Sequence, residues 1–136
     1  TKKKINYICH SQKKKIKDIT DIYLVDTYGE SKTFYAMSNL VFLGGSLVPK
    51  GGQNPLEPIR YGCRIIQGKH TFNFVEIYKM LIKKGLSFEA KNISQLKKLI
   101  NKLILEKKSN KKEIKSFKKI GNSILKRNFT KIRDLI

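Results

Sequence analysis

The chain has no tryptophan, only two cysteines and few acidic residues, and these shortages exclude several classes of protein. Cys9 and Cys63 are too few for a disulfide framework, and with His10 and His70 they do not have the spacing of a zinc finger. The longest mostly apolar run, residues 40–48, contains two glycines and is far shorter than the roughly 18 residues that cross a bilayer. The sequence therefore predicts neither a zinc site nor a membrane span.

The composition predicts one folded domain. The 136 residues are 40% hydrophobic, which is close to ordinary globular usage, so a single core can form despite the high charge. The chain begins at Thr1 without an initiating methionine, and no apolar stretch of signal-peptide length follows the first lysines. We therefore expect residues 1–136 to form a single domain that is incomplete at its N-terminus.

The positive charge is large and unevenly distributed. The formal net charge is +20, from 30 Lys and Arg against 10 Asp and Glu. Residues 22–76 hold five basic and four acidic side chains, a net of +1, while residues 1–21 contribute +5 and residues 77–136 contribute +14. Only four basic residues are arginine, the usual reader of bases and phosphates. This pattern favours solvated lysine-rich surfaces and leaves open an anionic membrane or nucleic acid as partner.

Short apolar runs alternate with helical patterns along the chain. Strands are predicted at 5–9, 22–25, 40–43, 64–67 and 86–88. A surface loop is predicted at 11–21, and helices are predicted at 30–38, at 74–83, from Leu96 to Ile104 and from Ile114 to Leu125. Strands separated by single helices indicate an α/β fold with a Rossmann-like parallel sheet and flanking helices. Ligands of such folds lie at the carboxyl ends of the strands.

Two loop-to-helix junctions follow predicted strands. At the first junction, Thr27 and Glu30 have the spacing of a capping box. At the second, Asn54 suits an N-cap, Pro55 the first helical position and Glu57 the end of the box. Helix capping alone would explain these residues. The same junctions would also present free amides and positive helix-dipole ends to a ligand.

The second junction has features that suit a phosphate and a ribose. Gly51 and Gly52 have no side chain that would keep a phosphate away from the backbone. A glutamate in the first helical turn, here Glu57, can accept two hydrogen bonds from a ribose diol. The stretch lacks both the lysine and hydroxyl residue of a P-loop and the G-x-G-x-x-G of dinucleotide sites. A single nucleotide is therefore the ligand that this pattern indicates.

Four segments match a known family in the same order. They are Val-Asp-Thr-Tyr-Gly-Glu at 25–30, Phe-Tyr-Ala at 34–36, Val-Phe-Leu-Gly-Gly-Ser-Leu-Val-Pro-Lys-Gly-Gly-Gln-Asn-Pro-Leu-Glu-Pro at 41–58 and His-Thr-Phe-Asn-Phe at 70–74. Over residues 22–76 the chain strongly resembles the 3-deoxy-D-manno-octulosonic acid (Kdo) transferases. Outside that span the resemblance is limited to the order of the elements and the run His10-Ser11-Gln12.

The resemblance implies a fold and an activity. Members of the family are inverting glycosyltransferases of the two-domain GT-B fold, which transfer Kdo from CMP-Kdo to lipid A precursor in lipopolysaccharide biosynthesis. They act at the cytoplasmic face of the bacterial inner membrane. The resemblance therefore implies that this chain is most of the C-terminal, donor-binding domain, and that it uses no metal or other cofactor.

The resemblance also implies which residues contact CMP. They are Tyr28, Gly29, Glu30, Gly52, Asn54, Pro55, Leu56 and Glu57. Glu57 is expected to bind the ribose hydroxyls, and the amides around Gly52 and Asn54 are expected to bind the phosphate. The loop from Tyr28 to Glu30 is expected to lie on the other side of the nucleotide.

The family keeps its catalytic base in the N-terminal domain, so no catalytic residue is assigned in this chain, and we expect it to be inactive alone. The implied partners are that missing domain, the lipid A precursor and the anionic inner-membrane surface. The basic helices within 92–136 are expected to pack across to the missing domain. The competing interpretation is a basic nucleic-acid-binding module without enzymatic activity, for which the charge outside 22–76 is the whole argument.

Overall fold

The computed structural model describes residues 4–106, and its internal contacts divide the chain into two compact units, Thr1–Phe34 and Tyr35–Ile136. The division falls inside helix α1, Ser31–Met37. The predicted helix from Ile114 to Leu125 lies outside the described residues.

The first unit is built on two short parallel strands. Strand β1, Tyr7–Cys9, pairs with β2, Ile22–Leu24, so that Tyr7 lies opposite Ile22 and Cys9 opposite Leu24. A single 3-10 turn, His10–Gln12, follows β1 directly. None of the described residues of this unit, 4–34, is fully buried. Because the strands are parallel, the segments that follow them emerge at one edge of the pair.

The second unit is a three-stranded parallel sheet with helices between the strands. The strands are β3, Leu40–Phe42, β4, Arg64–Gln67, and β5, Ser87–Glu89, in the spatial order β3-β4-β5. Helix α2, Leu56–Arg60, lies between β3 and β4 in the chain, α3, Val75–Lys83, between β4 and β5, and α4, Ile93–Leu105, after β5. The loop after β3 and the loop after β4 therefore both begin at the carboxyl edge of this sheet.

The central strand β4 divides the core of the second unit into two clusters. All four of its residues are buried, as expected of a parallel strand covered on both faces. Ile65 packs in a cluster with residues of α2 and α3, and the next residue, Ile66, packs in a second cluster with Leu103 of α4. Successive side chains of a strand point to opposite faces, so this alternation puts helices on both sides of the sheet.

Arg64 joins β4 to the end of α4. Its buried guanidinium donates hydrogen bonds to the main-chain carbonyls of Leu103 and Glu106 and lies 3.1 Å from the Glu106 carboxylate. The last carbonyls of a helix have no partner inside the helix, and a cation near them is favourable. This contact explains how a charged residue can occupy a buried strand position.

The structure confirms most of the predicted elements and alters how the strands pair. Strand 64–67 was predicted with its observed bounds, and the other strands and the helices within 30–105 differ by a few residues at their ends. The single predicted sheet is instead two sheets of parallel strands within residues 4–106, one of two strands and one of three. Gly85 has a φ of 67° just after α3, which suits the predicted helix end.

Candidate functional site

The predicted ligand-binding residues fall into two groups, one in each unit. Gly52, Asn54, Pro55, Leu56 and Glu57 belong to the second unit, in the loop that follows β3 and the start of α2. Tyr28, Gly29 and Glu30 belong to the first unit, in the loop between β2 and α1. In each unit the loop follows the carboxyl end of a parallel strand, where α/β folds bind their ligands.

Ser46 anchors the glycine-rich loop after β3. Its buried hydroxyl donates to the Leu43 carbonyl at 2.6 Å and accepts from the Gly68 amide at 2.8 Å, and its own carbonyl accepts from the His70 amide. A Cβ at Gly68 would overlap the Ser46 carbonyl, which leaves room only for glycine. Buried hydrogen bonds thus join the loops that follow β3 and β4.

Gly51 and Gly52 are needed for packing inside the protein. Both are buried, with φ of 87° and 73°, a conformation that favours glycine. A Cβ at Gly51 would lie 2.8 Å from the Phe72 ring, and one at Gly52 would lie 3.3 Å from the His70 carbonyl oxygen. From the sequence, these glycines were predicted to let a phosphate approach the backbone. The structure supplies a different reason, the close approach of residues 70–73.

The start of α2 differs from the predicted capping box. The helix begins at Leu56, and its N-cap residue is Pro55, which has no side-chain cap. The Asn54 side chain accepts a hydrogen bond from the Leu56 amide at 3.0 Å, two residues on, which is an Asx turn. Asn54 therefore shapes the loop just before the helix, and one of the first amides of α2 is occupied by the protein itself.

Glu57 is exposed at the start of α2. Burial raises the pKa of the Tyr35 hydroxyl, and the negative charge of Glu57 raises it further. The Tyr35 ring lies 6.3 Å from the ring of Tyr61, the residue that follows α2 at its C-terminal end. The carboxylate at position 57 is accessible to a ligand, as the donor-site prediction requires.

Tyr78 of α3 supports the loop that follows β3. It is 2% exposed on α3, and its hydroxyl donates to the Gln53 carbonyl at 3.0 Å. Burial raises the pKa of Tyr78 to about 12. The bond fixes the backbone between Gly52 and Asn54. A tyrosine rather than a phenylalanine at a buried helical position was the only signal in the sequence.

In the first unit, the residues from Tyr28 to Glu30 form an open loop. Tyr28 is fully exposed, Gly29 has a φ of 87° with open space around it, and Glu30 is partly buried. The predicted capping box at Thr27 is wrong, because α1 begins at Ser31 and the Glu30 carbonyl accepts the first helical bond, from Phe34. The Glu30 side chain is thus not engaged in the capping box that was predicted.

Two residues of the 3-10 turn after β1, His10 and Ser11, lie close to side chains that flank Tyr28 in the loop between β2 and α1. The Ser11 hydroxyl and amide both donate to the Asp26 carboxylate, at 2.6 and 2.9 Å. These bonds lower the pKa of Asp26, and the charge of His10 adds a smaller effect. The His10 Nε2 lies 3.9 Å from a Glu30 carboxylate oxygen. No sequence pattern predicted these contacts, because the residues that make them are 15 to 20 positions apart in the chain.

Within residues 4–106 no group of three or more His, Cys, Asp or Glu is arranged to hold a metal ion. Nor does any helix there combine the length and the apolar character that a bilayer-spanning segment requires.

Curated relatives of this chain are glycosyltransferases. The 3-deoxy-D-manno-octulosonic acid transferase of Haemophilus influenzae is 44% identical over 81 residues, which are 60% of this chain and 19% of the relative. The bifunctional glycosyltransferase/methyltransferase of Fusobacterium nucleatum is 37% identical over 116 residues, which are 85% of this chain and 18% of the relative. The chain thus spans less than a fifth of the length of either relative. The resemblance to Kdo transferases is confirmed, and these matches give no support to a nucleic-acid-binding module.

A solved structure shares the fold. The C-terminal CMP-Kdo binding domain of WaaA from Acinetobacter baumannii superposes with a TM-score of 0.76 at 28% identity, over 85% of this chain and 61% of that chain. This match and the parallel strands flanked by helices confirm the predicted α/β class. Residues 2–120 also match the family described as Glycosyl transferases group 1. The chain therefore belongs to the group 1 glycosyl transferases.

Proposed function

We propose that this chain is the donor-binding part of a Kdo transferase and that it binds CMP-Kdo. The observation that carries the proposal is the structural similarity to a CMP-Kdo binding domain over 85% of the chain. The Haemophilus relative, named as a Kdo transferase, supports the same donor. The description of the matched family names no nucleotide, so the cytidine nucleotide is the part of the proposal that most needs a direct test.

The proposed donor contacts in the second unit follow from what is exposed there. Glu57 is exposed at the start of α2 and would accept hydrogen bonds from the ribose hydroxyls. The phosphate would lie against the main chain from Gly52 through Asn54, Pro55 and Leu56. The Gly52 amide donates to the Gly45 carbonyl and the Leu56 amide donates to the Asn54 side chain. Because Pro55 has no N–H, the amides of Gln53 and Asn54 would bind the phosphate. In the first unit, Tyr28, Gly29 and Glu30 would contact the nucleotide from their own loop.

The chemistry requires more than this chain. Inverting transfer needs a base that deprotonates the acceptor hydroxyl, and we propose that the N-terminal domain of a GT-B enzyme supplies it. The part described here would hold the donor and stabilise the departing CMP with amide hydrogen bonds, without a metal. The chain by itself would therefore bind the donor without turning it over.

The acceptor and location are further parts of the proposal. The acceptor would be lipid A precursor, a membrane lipid, so the enzyme would work at the cytoplasmic face of the bacterial inner membrane. Lys97, Lys98 and Lys102 are exposed on α4, whose opposite side packs Leu103 into the core. These lysines would contribute to attraction by an anionic membrane surface, at about 1 kcal/mol for each lysine close to it.

Calorimetry on the 136-residue chain tests the donor assignment. We expect binding of CMP and much weaker binding of UDP. Glu57→Ala should weaken CMP binding by about tenfold to a hundredfold, since hydrogen bonds to a charged group contribute about 1.5–3 kcal/mol. Glu76→Ala is the matched control, because Glu76 is an exposed glutamate in the first turn of α3. Equal affinity of wild type and Glu57→Ala would refute the assignment of the ribose contact.

A salt titration tests the nucleic-acid alternative. Binding of duplex DNA by a cationic surface falls steeply with salt, whereas a mononucleotide with few phosphate charges is much less sensitive. We expect CMP binding to persist at about 150 mM salt and DNA binding to be lost there. Tight DNA binding at that salt, with no binding of CMP, would favour the alternative instead.

A further inference from the structure

The imidazole of His10 is held rigidly in the first unit. The ring lies edge-on to the rings of Tyr23 and Phe34, with centroid distances of 5.8 and 6.0 Å. The Nδ1 atom is 2.9 Å from the Tyr23 hydroxyl. The His10 side chain is 33% exposed, so it is sheltered by these rings but still accessible to protons from solvent. Residues of two elements, Tyr23 of β2 and Phe34 of α1, thus hold the side chain of His10 in place.

The hydrogen bond to Tyr23 determines whether Nε2, the ring nitrogen that faces Glu30, carries a proton. If the neutral ring accepts the Tyr23 hydroxyl proton at Nδ1, its own proton is on Nε2, and the protonated ring carries protons on both nitrogens. In both forms an N–H lies on the side of the Glu30 carboxylate, whose oxygen is 3.9 Å from Nε2. At that distance the interaction is electrostatic, so it is much stronger when the ring is positively charged.

Glu30 has its backbone and side chain held by different groups. Its carbonyl accepts the first hydrogen bond of α1, which fixes the backbone. Its side chain is 37% exposed and faces His10. Gly29, next to it, has a positive φ and no other group within 4 Å of the position a Cβ would take. His10 is therefore the group best placed to orient it.

We propose that His10 is a positioning residue that holds the Glu30 carboxylate in the orientation used for the nucleotide, and that protonation of His10 strengthens this hold. The proposal rests on the proposed function for its nucleotide. The other charged or titratable groups that face or adjoin His10 are Tyr23, Asp26 and Cys9. Asp26 is already engaged by two hydrogen bonds from Ser11. Glu30 is the carboxylate that His10 can move.

The first test compares the histidine ring signals by NMR, which needs no ligand. The chain has two histidines, so His70 serves as an internal reference. Glu30→Gln removes the facing carboxylate and should change the chemical shifts of the His10 ring, leaving those of His70 unchanged. Asp18→Asn, which removes the same charge from the exposed loop after β1, is the control. Unchanged His10 ring signals in Glu30→Gln would overturn the proposal.

The second test compares CMP affinity of wild type and His10→Gln across pH. The phosphate of CMP titrates near pH 6 in both experiments, so the ratio of the two affinities isolates His10. We expect His10→Gln to bind about threefold to tenfold more weakly at about pH 6, and within about twofold of wild type at about pH 8.5. Glutamine keeps a hydrogen-bond donor but cannot ionise, so a purely structural role would give a ratio independent of pH.

The outcomes separate this proposal from the proposed function. If the wild-type chain does not bind CMP, the donor assignment fails, and the NMR comparison of Glu30→Gln still decides whether His10 and Glu30 interact. If CMP binds and the ratio is constant with pH, the donor assignment stands and the positioning role of His10 is refuted.

Discussion

The two units hold their loops in physically different ways. In the second unit, the glycine-rich loop is joined to residues 68–73 by buried hydrogen bonds and by contacts that leave no room for a Cβ. In the first unit, the loop around Tyr28 is held by partly exposed side chains, those of Ser11, Asp26 and His10. Breaking a buried hydrogen bond costs more free energy than breaking an exposed one, because water can replace or screen the exposed interaction. Substitutions in the second unit should therefore change stability, and those in the first should change protonation or affinity.

The largest effect is expected at Gly68. An added Cβ would overlap the Ser46 carbonyl and come within 2.5 Å of the Leu47 amide nitrogen, and both of these atoms belong to the backbone. Gly68→Ala should therefore separate the two loops and cost about 3 kcal/mol, from overpacking and a lost buried hydrogen bond. Chemical denaturation measures this change. Gly44→Ala is the control, since a Cβ there meets nothing within 4 Å, and a similar loss in both variants would contradict the account of Gly68.

Arg64 should give the next largest effect. Arg64→Ala would leave the carbonyls at the end of α4 and the Glu106 carboxylate without their donor. Because Glu106 is partly exposed, we expect a loss of about 2–3 kcal/mol, below that of a fully buried pair. Urea denaturation of Arg64→Ala and of the exposed control Arg60→Ala provides the comparison. A loss in Arg60→Ala as large as that in Arg64→Ala would show that general charge, not this contact, is responsible.

A smaller effect is expected at Tyr78. Tyr78→Phe removes the donor to the Gln53 carbonyl and should cost about 1 kcal/mol of stability. Because the bond holds the backbone between Gly52 and Asn54, CMP affinity should fall severalfold under the proposed function. Thermal unfolding and calorimetry measure the two quantities. Tyr61→Phe, at an exposed tyrosine, should change neither. Unchanged stability of Tyr78→Phe would show that the loop does not depend on this bond.

The smallest effect on stability is expected in the first unit, at Ser11. Its two hydrogen bonds lower the pKa of Asp26, so the associated stabilisation is present above the unfolded value of about 3.9 and is lost as the pH falls through the lower folded value. Ser11→Ala should raise the Asp26 pKa toward its ordinary value, as measured by NMR, without a measurable change in the unfolding midpoint. Thr33→Ala on α1 is the control. If Ser11→Ala left the pKa of Asp26 unchanged, the hydrogen bonds from Ser11 would not be what lowers it.

Local sequence patterns were sufficient to predict most strands and helices and to locate the loops between them. The run Arg-Ile-Ile-Gln at 64–67 predicted a strand with the bounds that are observed, because its two isoleucines are β-branched and a glycine lies close on either side. The family resemblance identified the loops on which the proposed donor contacts lie. Pattern failed at the helix starts, since the spacing of Asn54 and Glu57 fits both a capping box and the Asx turn that is observed.

Other features had no sequence signal, because they join residues that are distant in the chain. The contact of His10 with Glu30 spans 20 positions, and that of Arg64 with Glu106 spans 42. A lone histidine or arginine gives no indication of such a partner.

The sequence by itself determined the α/β class, the order of strands and helices and the glycine-rich loop, because periodicity and backbone preference are local properties. Only the tertiary structure shows why Gly51 and Gly68 must be glycine, how Tyr78 supports the glycine-rich loop and which carboxylate faces His10. Those features depend on the distance between segments that only folding brings together, and a few ångströms decide whether two groups clash, bond or do not interact.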